Sequence, residues 1–217
     1  MKQKNVNLLL LWFVKLTGVP LALLYFKPKV YYVDKKIQSR RLPKGCILMS
    51  NHKSLMDFVL YLCIFFGRTI RFLMAEVLFN KGKLFASFLF GIGGIYVNRD
   101  NYDFGFMQES IKVLDKGGTI GIFPEARLPV GGKGWPFKPS VTYIALHSDA
   151  KIVPVYTDGN YGLFKRTSVV IGTPIDIHEY CSEVNPGEEE IKRLTELLQQ
   201  KVAELKEFLE NNAKQKA

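Results

Sequence analysis

The sequence predicts an α/β fold: a single domain with a mixed, largely parallel central sheet flanked by helices, plus an N-terminal membrane-docking helical segment. Three observations carry that reading. Short apolar runs that read as strands alternate with longer stretches at helical spacing. Polar or turn-forming residues stand at the ends of successive strand runs, where sheets of this class place ligands. The chain also begins with its most lipophilic stretch, residues 5–26, broken near the middle by Lys15, Gly18 and Pro20.

A chain of 217 residues is long enough for one full core, and 47% hydrophobic content argues against disorder. The formal charge of +10 leaves three partner classes: nucleic acid, an anionic membrane surface or a phosphorylated substrate. No zinc knuckle, RNP-like run or Arg-rich arm supports nucleic acid, so no nucleic-acid partner is expected. Cys46, Cys63 and Cys181 form no C-x-x-C pair and no metal spacing, so no metal is expected. Their odd number suits a reducing compartment and hence the cytoplasmic face of the cell membrane.

The N-terminal stretch lacks a small-x-small cleavage site and is followed by Lys27, Lys29, Lys35, Lys36, Arg40 and Arg41. Its interruptions predict two short helices or a bent one seated in one leaflet, with Trp12 and Tyr25 near the interface. The alternative is a helix packed on the domain itself. Residues 1–29 are therefore set apart as membrane-associating helices, and 30–217 as the domain that carries the chemistry.

Residues 30–33 read as a strand, and 46–49 as a buried strand after the turn at 41–45. A helix is expected over 58–66 and a strand over 70–75. The apolar 78–90 reads as one amphipathic helix touching lipid, stopped by the glycines at 91–94. A strand at 95–97, a helix over 102–115 and a strand at 119–123 follow. The Gly-rich loop 130–134, a helix over 138–148 and strands at 152–156 and 168–172 come next. Asn185, Pro186 and Glu188 offer a helix start, and Ile191, Leu194, Leu198, Leu205 and Leu209 mark the buried face of the last helix.

Between the strand at 46–49 and the next helix stand Asn51, His52 and Asp57. On one continuous helix, His52 and Asp57 would lie about 140° apart and not meet. They meet if His52 sits in the turn and Asp57 in the first helical turn, with Asn51 or Ser54 as cap. Asp57 then accepts from one ring nitrogen and leaves the other basic, the wiring of a general base with an orienting acid. A Cys46–His52 nucleophile pair is a weaker alternative. Later strand ends add Asn98 and Arg99, then Pro124, Glu125, Ala126 and Arg127, then Pro154. His147 and His178 lie outside any motif.

Together these motifs resemble the glycerophospholipid acyltransferases of the lysophosphatidic acid acyltransferase type. Asn51, His52 and Asp57 match the first motif, Asn-His-x4-Asp. Residues 93–99 resemble the second, with Arg99 at its basic position. Residues 123–128 resemble Phe-Pro-Glu-Gly-x-Arg, and 152–155 match the aliphatic-Val-Pro-Val run. The resemblance implies His52 and Asp57 as catalytic residues, and Asn51, Arg99, Glu125, Arg127 and Pro154 as substrate-binding ones. It implies a lysophospholipid acceptor, 1-acyl-sn-glycerol 3-phosphate first, an acyl-CoA or acyl-carrier-protein donor, a membrane lipid surface as partner, and no cofactor. Two departures stand out: Ala126 replaces the usual Gly, and Arg127 arrives one residue early, with Lys133 or Lys138 as substitutes. Ala126 is expected to lack easy access to positive φ.

Overall fold

The computed structural model describes residues 3–98, 104–131 and 133–214. Seven strands form one sheet in the order β1-β7-β6-β2-β5-β3-β4. They are β1 (Lys29–Tyr32), β2 (Cys46–Ser50), β3 (Ile70–Ala75), β4 (Ile95–Val97), β5 (Thr119–Ile122), β6 (Lys151–Thr157) and β7 (Ser168–Ile171). All neighbouring pairs are parallel except β6 with β7, so the sheet is mixed and largely parallel as expected.

Strand β2 is buried along its whole length and lies between β5 and β6. Its side chains alternate: Cys46 and Leu48 join one core layer, Ile47 and Met49 the other. A strand covered on both faces needs no polar side, which explains its uninterrupted apolar run. The first layer is closed by α1 (Leu8–Phe26), α2 (Asp57–Ile64), α3 (Glu76–Phe79) and α4 (Lys83–Gly91). The second is closed by α5 (Gly105–Asp115), α6 (Ser140–Leu146) and α7 (Glu188–Lys214).

Two elements differ from expectation and one narrows it. Helix α1 is one continuous helix with Pro20 inside it, the single-helix form of the two expected. Leu11, Lys15 and Phe26 recur at helical spacing on the face turned to the domain, and all three are buried. That packing holds the helix together across Pro20. Lys15 is no interruption of the apolar run: its Nζ bonds the carbonyls of Phe66 and Arg68 beyond the end of α2, at 2.8 and 2.5 Å. Leu9, Phe13, Leu16, Leu21 and Leu24 remain exposed on the other side. Thus α1 both packs on the domain and presents an apolar face outward, and it is long and apolar enough to cross a membrane.

The stretch 78–90 divides into α3 and α4, because Gly82 adopts φ 139°, a conformation that breaks a helix. Helix α7 begins at Glu188 rather than at Pro186. The Ile191 amide bonds Gly187 O, and the Glu183 carboxylate takes the Gly187 amide, so Asn185 is not its cap. Its buried stripe is Leu194, Leu198, Val202 and Leu205, with Ile191 and Leu209 at the margin.

Candidate active site

The carboxyl ends of β5, β2 and β6 lie side by side, and the site is built where they stop. The chain leaves β2 through a turn at 51–56 that ends on Asp57, the first residue of α2. Neither Asn51 nor Ser54 caps α2; its N-cap is Met56, whose amide bonds Ser54 Oγ. Asp57 itself organises the turn. Its Oδ2 accepts the amides of Lys53 and Ser54 at 2.7 and 3.0 Å, and lies 2.8 Å from His52 Nδ1. A carboxylate only accepts, so Nδ1 carries the hydrogen and Nε2 is the basic nitrogen.

Asp57 is fully buried, and its other oxygen is also satisfied. Tyr161, from the loop after β6, donates its hydroxyl to Oδ1. Burial, reinforced by the Asp57 carboxylate, pushes the Tyr161 phenol above its ordinary value and keeps it a donor. Tyr161 escaped the sequence reading because it lies 104 positions from Asp57 and sits in no periodic pattern.

The imidazole is held on its face as well. Phe123, just past β5, stacks on His52 with centroids 4.4 Å apart and planes 15° apart. Phe72 stacks in turn on Phe123. This needs Gly121 in β5: a Cβ there would fall 2.3 Å from the Phe72 ring.

Asn51 and Glu125 act between strand ends. Asn51 Nδ2 donates to Thr157 O and its Oδ1 accepts from Thr157 N, both at 2.9 Å, tying β2 to β6. Glu125 is buried; Oε1 accepts the His52 amide at 3.0 Å and Oε2 the Trp135 amide at 3.2 Å. Pro154 packs inside β6 opposite Met49, against Gly172 of the chain beyond β7, and does not line the groove described next. Arg99 lies outside the described residues.

His52 opens onto an apolar groove of about 730 Å³. It is lined by the aromatic and aliphatic side chains of Phe72, Leu78, Phe85, Phe88 and Phe123, and the exposed Lys81 and Arg127 also border it, which places these two cations at its rim. The volume is that of a typical small-molecule site. Arg127 is exposed, and its guanidinium lies 5.7 Å above the Trp135 ring. Lys133 and Lys138 are exposed and do not line the groove. Lys81 lies within the stretch 78–90 and belongs to none of the sequence motifs.

Ala126 does adopt positive φ, at 55°, contrary to expectation. Its amide closes a turn on Phe123 O, and the left-handed residue turns the chain so that Arg127 reaches the groove rim. The amides of Gly93 and Gly94, at the start of the second motif, bond Phe90 O and Leu89 O within the turn after α4. Among the described residues no cluster of His, Cys, Asp and Glu could hold a metal ion.

An imidazole with one nitrogen tied to a buried carboxylate, facing an apolar groove with cations at its mouth, is suited to acyl transfer between lipid-like molecules. Comparison agrees: residues 33–158 match the Acyltransferase family, and the chain belongs to it. It is an O-acyltransferase. The chain is 27% identical over 171 residues to the 1-acyl-sn-glycerol-3-phosphate acyltransferase of Bacillus subtilis (strain 168), covering 76% of this chain and 83% of that one. It is 26% identical over 171 residues to the enzyme so named in Borreliella burgdorferi, covering 76% and 68%. The crystal structure of the 1-acyl-sn-glycerophosphate (LPA) acyltransferase PlsC from Thermotoga maritima superposes with a TM-score of 0.60 at 25% identity, covering 90% of this chain and 79% of that one.

Proposed function

We propose that this acyltransferase moves a fatty acyl group from an acyl thioester, acyl-CoA or acyl-carrier protein, to the free hydroxyl of 1-acyl-sn-glycerol 3-phosphate, giving phosphatidic acid. The observation that carries the reading is the His52 Nδ1–Asp57 Oδ2 contact of 2.8 Å, made by a histidine that lines the apolar groove. His52 Nε2 takes the hydroxyl proton as the oxygen attacks the thioester carbonyl. The tetrahedral intermediate collapses, the C–S bond breaks, and the imidazolium returns the proton to the departing thiolate. Asp57 holds the tautomer and stabilises the imidazolium. No step calls for a cofactor.

The acyl chain lies in the groove, and Arg127 at its rim clamps the acceptor phosphate. Arg99 is assigned to the same phosphate on the motif resemblance alone. Asn51, Glu125 and Pro154 serve the substrate indirectly, by fixing the strand ends around His52. Residues 1–29 hold the protein on the membrane, at its cytoplasmic face, through the exposed side of α1; residues 30–217 form the catalytic domain.

Full-length protein is to be given acyl-CoA or acyl-carrier protein with 1-acyl-sn-glycerol 3-phosphate, glycerol 3-phosphate and an amino-acid lysolipid. Product with the first acceptor, lost in His52→Ala, is the expected result. Full activity of His52→Ala removes the general base. Product only with another acceptor reassigns the substrate, and none with any acceptor marks a membrane-binding homologue that has lost catalysis.

A further inference from the structure

The loop from β6 to β7 ends in an exposed tip. Its base is closed by bonds from Asn160 Nδ2 to Arg166 O and from Thr167 Oγ1 to Asn160 O. Its tip is a tight turn in which the Lys165 amide bonds Gly162 O at 3.0 Å, with Gly162 at φ 144°. The two corner residues of that turn are Leu163 and Phe164, which are 58% and 100% exposed. Turn corners usually carry Gly, Pro, Asn, Asp or Ser. A built protrusion whose corners are a leucine and a phenylalanine leaves apolar surface in water.

The tip does not stand alone. Lys27, at the end of α1, bonds Leu163 O through Nζ at 2.6 Å. The Thr167 amide bonds Phe26 O, and the Phe26 ring meets Tyr161 edge-on at 5.1 Å. The protrusion therefore continues from the end of the helix whose outer face is apolar. Lys27, Lys165 and Arg166 are exposed around it. Apolar corners ringed by cations match an interface of hydrocarbon beneath anionic headgroups.

We propose that the loop of residues 158–167 is a second membrane-inserting element, with Leu163 and Phe164 entering the acyl boundary and Lys27, Lys165 and Arg166 meeting anionic headgroups. It rests on the reading that α1 docks the protein on a membrane, and it adds a contact that fixes the rotation of the domain about that helix. The same loop carries Tyr161, so the inserted tip and the Asp57 partner belong to one hydrogen-bonded unit.

The test places an environment-sensitive fluorophore at Leu163→Cys in full-length protein carrying Cys181→Ser; Cys46 and Cys63 are buried. Vesicles of phosphatidylcholine with and without phosphatidylglycerol are added, and cosedimentation is measured in parallel. A blue shift with the anionic vesicles, reduced in high salt and weaker with phosphatidylcholine alone, is expected. In unlabelled protein, Phe164→Ser should weaken binding to anionic vesicles about tenfold. Cosedimentation without a blue shift overturns the inference and leaves the α1 reading intact. Failure to cosediment overturns both. A blue shift given by a soluble acidic carrier protein but not by vesicles also overturns it, in favour of a donor-docking surface.

Discussion

Tyr161 donates its hydroxyl to Asp57 Oδ1, while His52 Nδ1 bonds Oδ2 of the same carboxylate at 2.8 Å. The two oxygens are thus divided between a partner five residues away and one 104 residues away. With both engaged, the carboxylate cannot rotate without breaking a bond in a buried site.

Tyr161→Phe keeps the ring packed on Phe26 and removes only the hydroxyl. We expect kcat to fall about tenfold with KM nearly unchanged, as for other partners that orient a reacting group indirectly. Steady-state kinetics on Tyr161→Phe, Asp57→Asn and the double variant check it. In the double variant Tyr161→Phe should add nothing further, whereas a purely structural role would give additive losses.

Arg127 stands at the rim, above Trp135. Arg127→Ala should raise the apparent KM for 1-acyl-sn-glycerol 3-phosphate about tenfold, with a smaller change in kcat. Trp135→Ala, which removes the ring but leaves the backbone amide on Glu125, should raise it about threefold through loss of the cation–π contact. Equal KM values in all three proteins would move the phosphate site to Lys81 or Arg99.

The positive φ of Ala126 costs about 1–2 kcal/mol relative to an ordinary backbone conformation. A glycine removes that strain and gives back about 0.5–1 kcal/mol through its looser unfolded chain. Ala126→Gly should therefore be neutral or stabilising by up to about 1.5 kcal/mol, and Ala126→Val should destabilise. Thermal unfolding measures both, and a clear loss of stability in Ala126→Gly would show that the methyl group makes packing the backbone argument omits.

Burial pushes the Lys15 ammonium down from its ordinary 10.5 to about 8. Between about pH 8 and 10.5 the unfolded chain holds a proton that the folded one has released. The unfolding free energy therefore rises with pH across that window, and below it the folded state bears the full cost of a buried charge. Denaturant unfolding at pH 7.5 and 9.5 should show the gain in the wild type, and Lys15→Met should flatten the difference. A gain of the same size in Lys15→Met would assign it to another group.

Much of this arrangement was legible in the chain. The strand runs at 46–49, 70–75 and 95–97 are strands. His52 and Asp57 meet as the turn geometry required, because a helix that starts at Asp57 brings the carboxylate back under the turn. Helix continuity was harder. Pro20 and Lys15 looked like breaks in α1, yet packing of one face and two carbonyl acceptors for the ammonium outweigh both. The run 78–90 read as one helix, yet Gly82 inside it separates α3 from α4.

The sequence by itself determined the meeting of His52 with Asp57 and the class of fold, since both rest on residues close together in the chain, where turn and helix geometry leave few alternatives. Only the tertiary structure decided what surrounds the pair. The Tyr161 hydroxyl, the Asn51–Thr157 clamp, the Glu125 bond to His52 and the apolar groove all depend on which strands are neighbours. Strand order is set by how whole layers bury their apolar faces, and local periodicity carries no record of it.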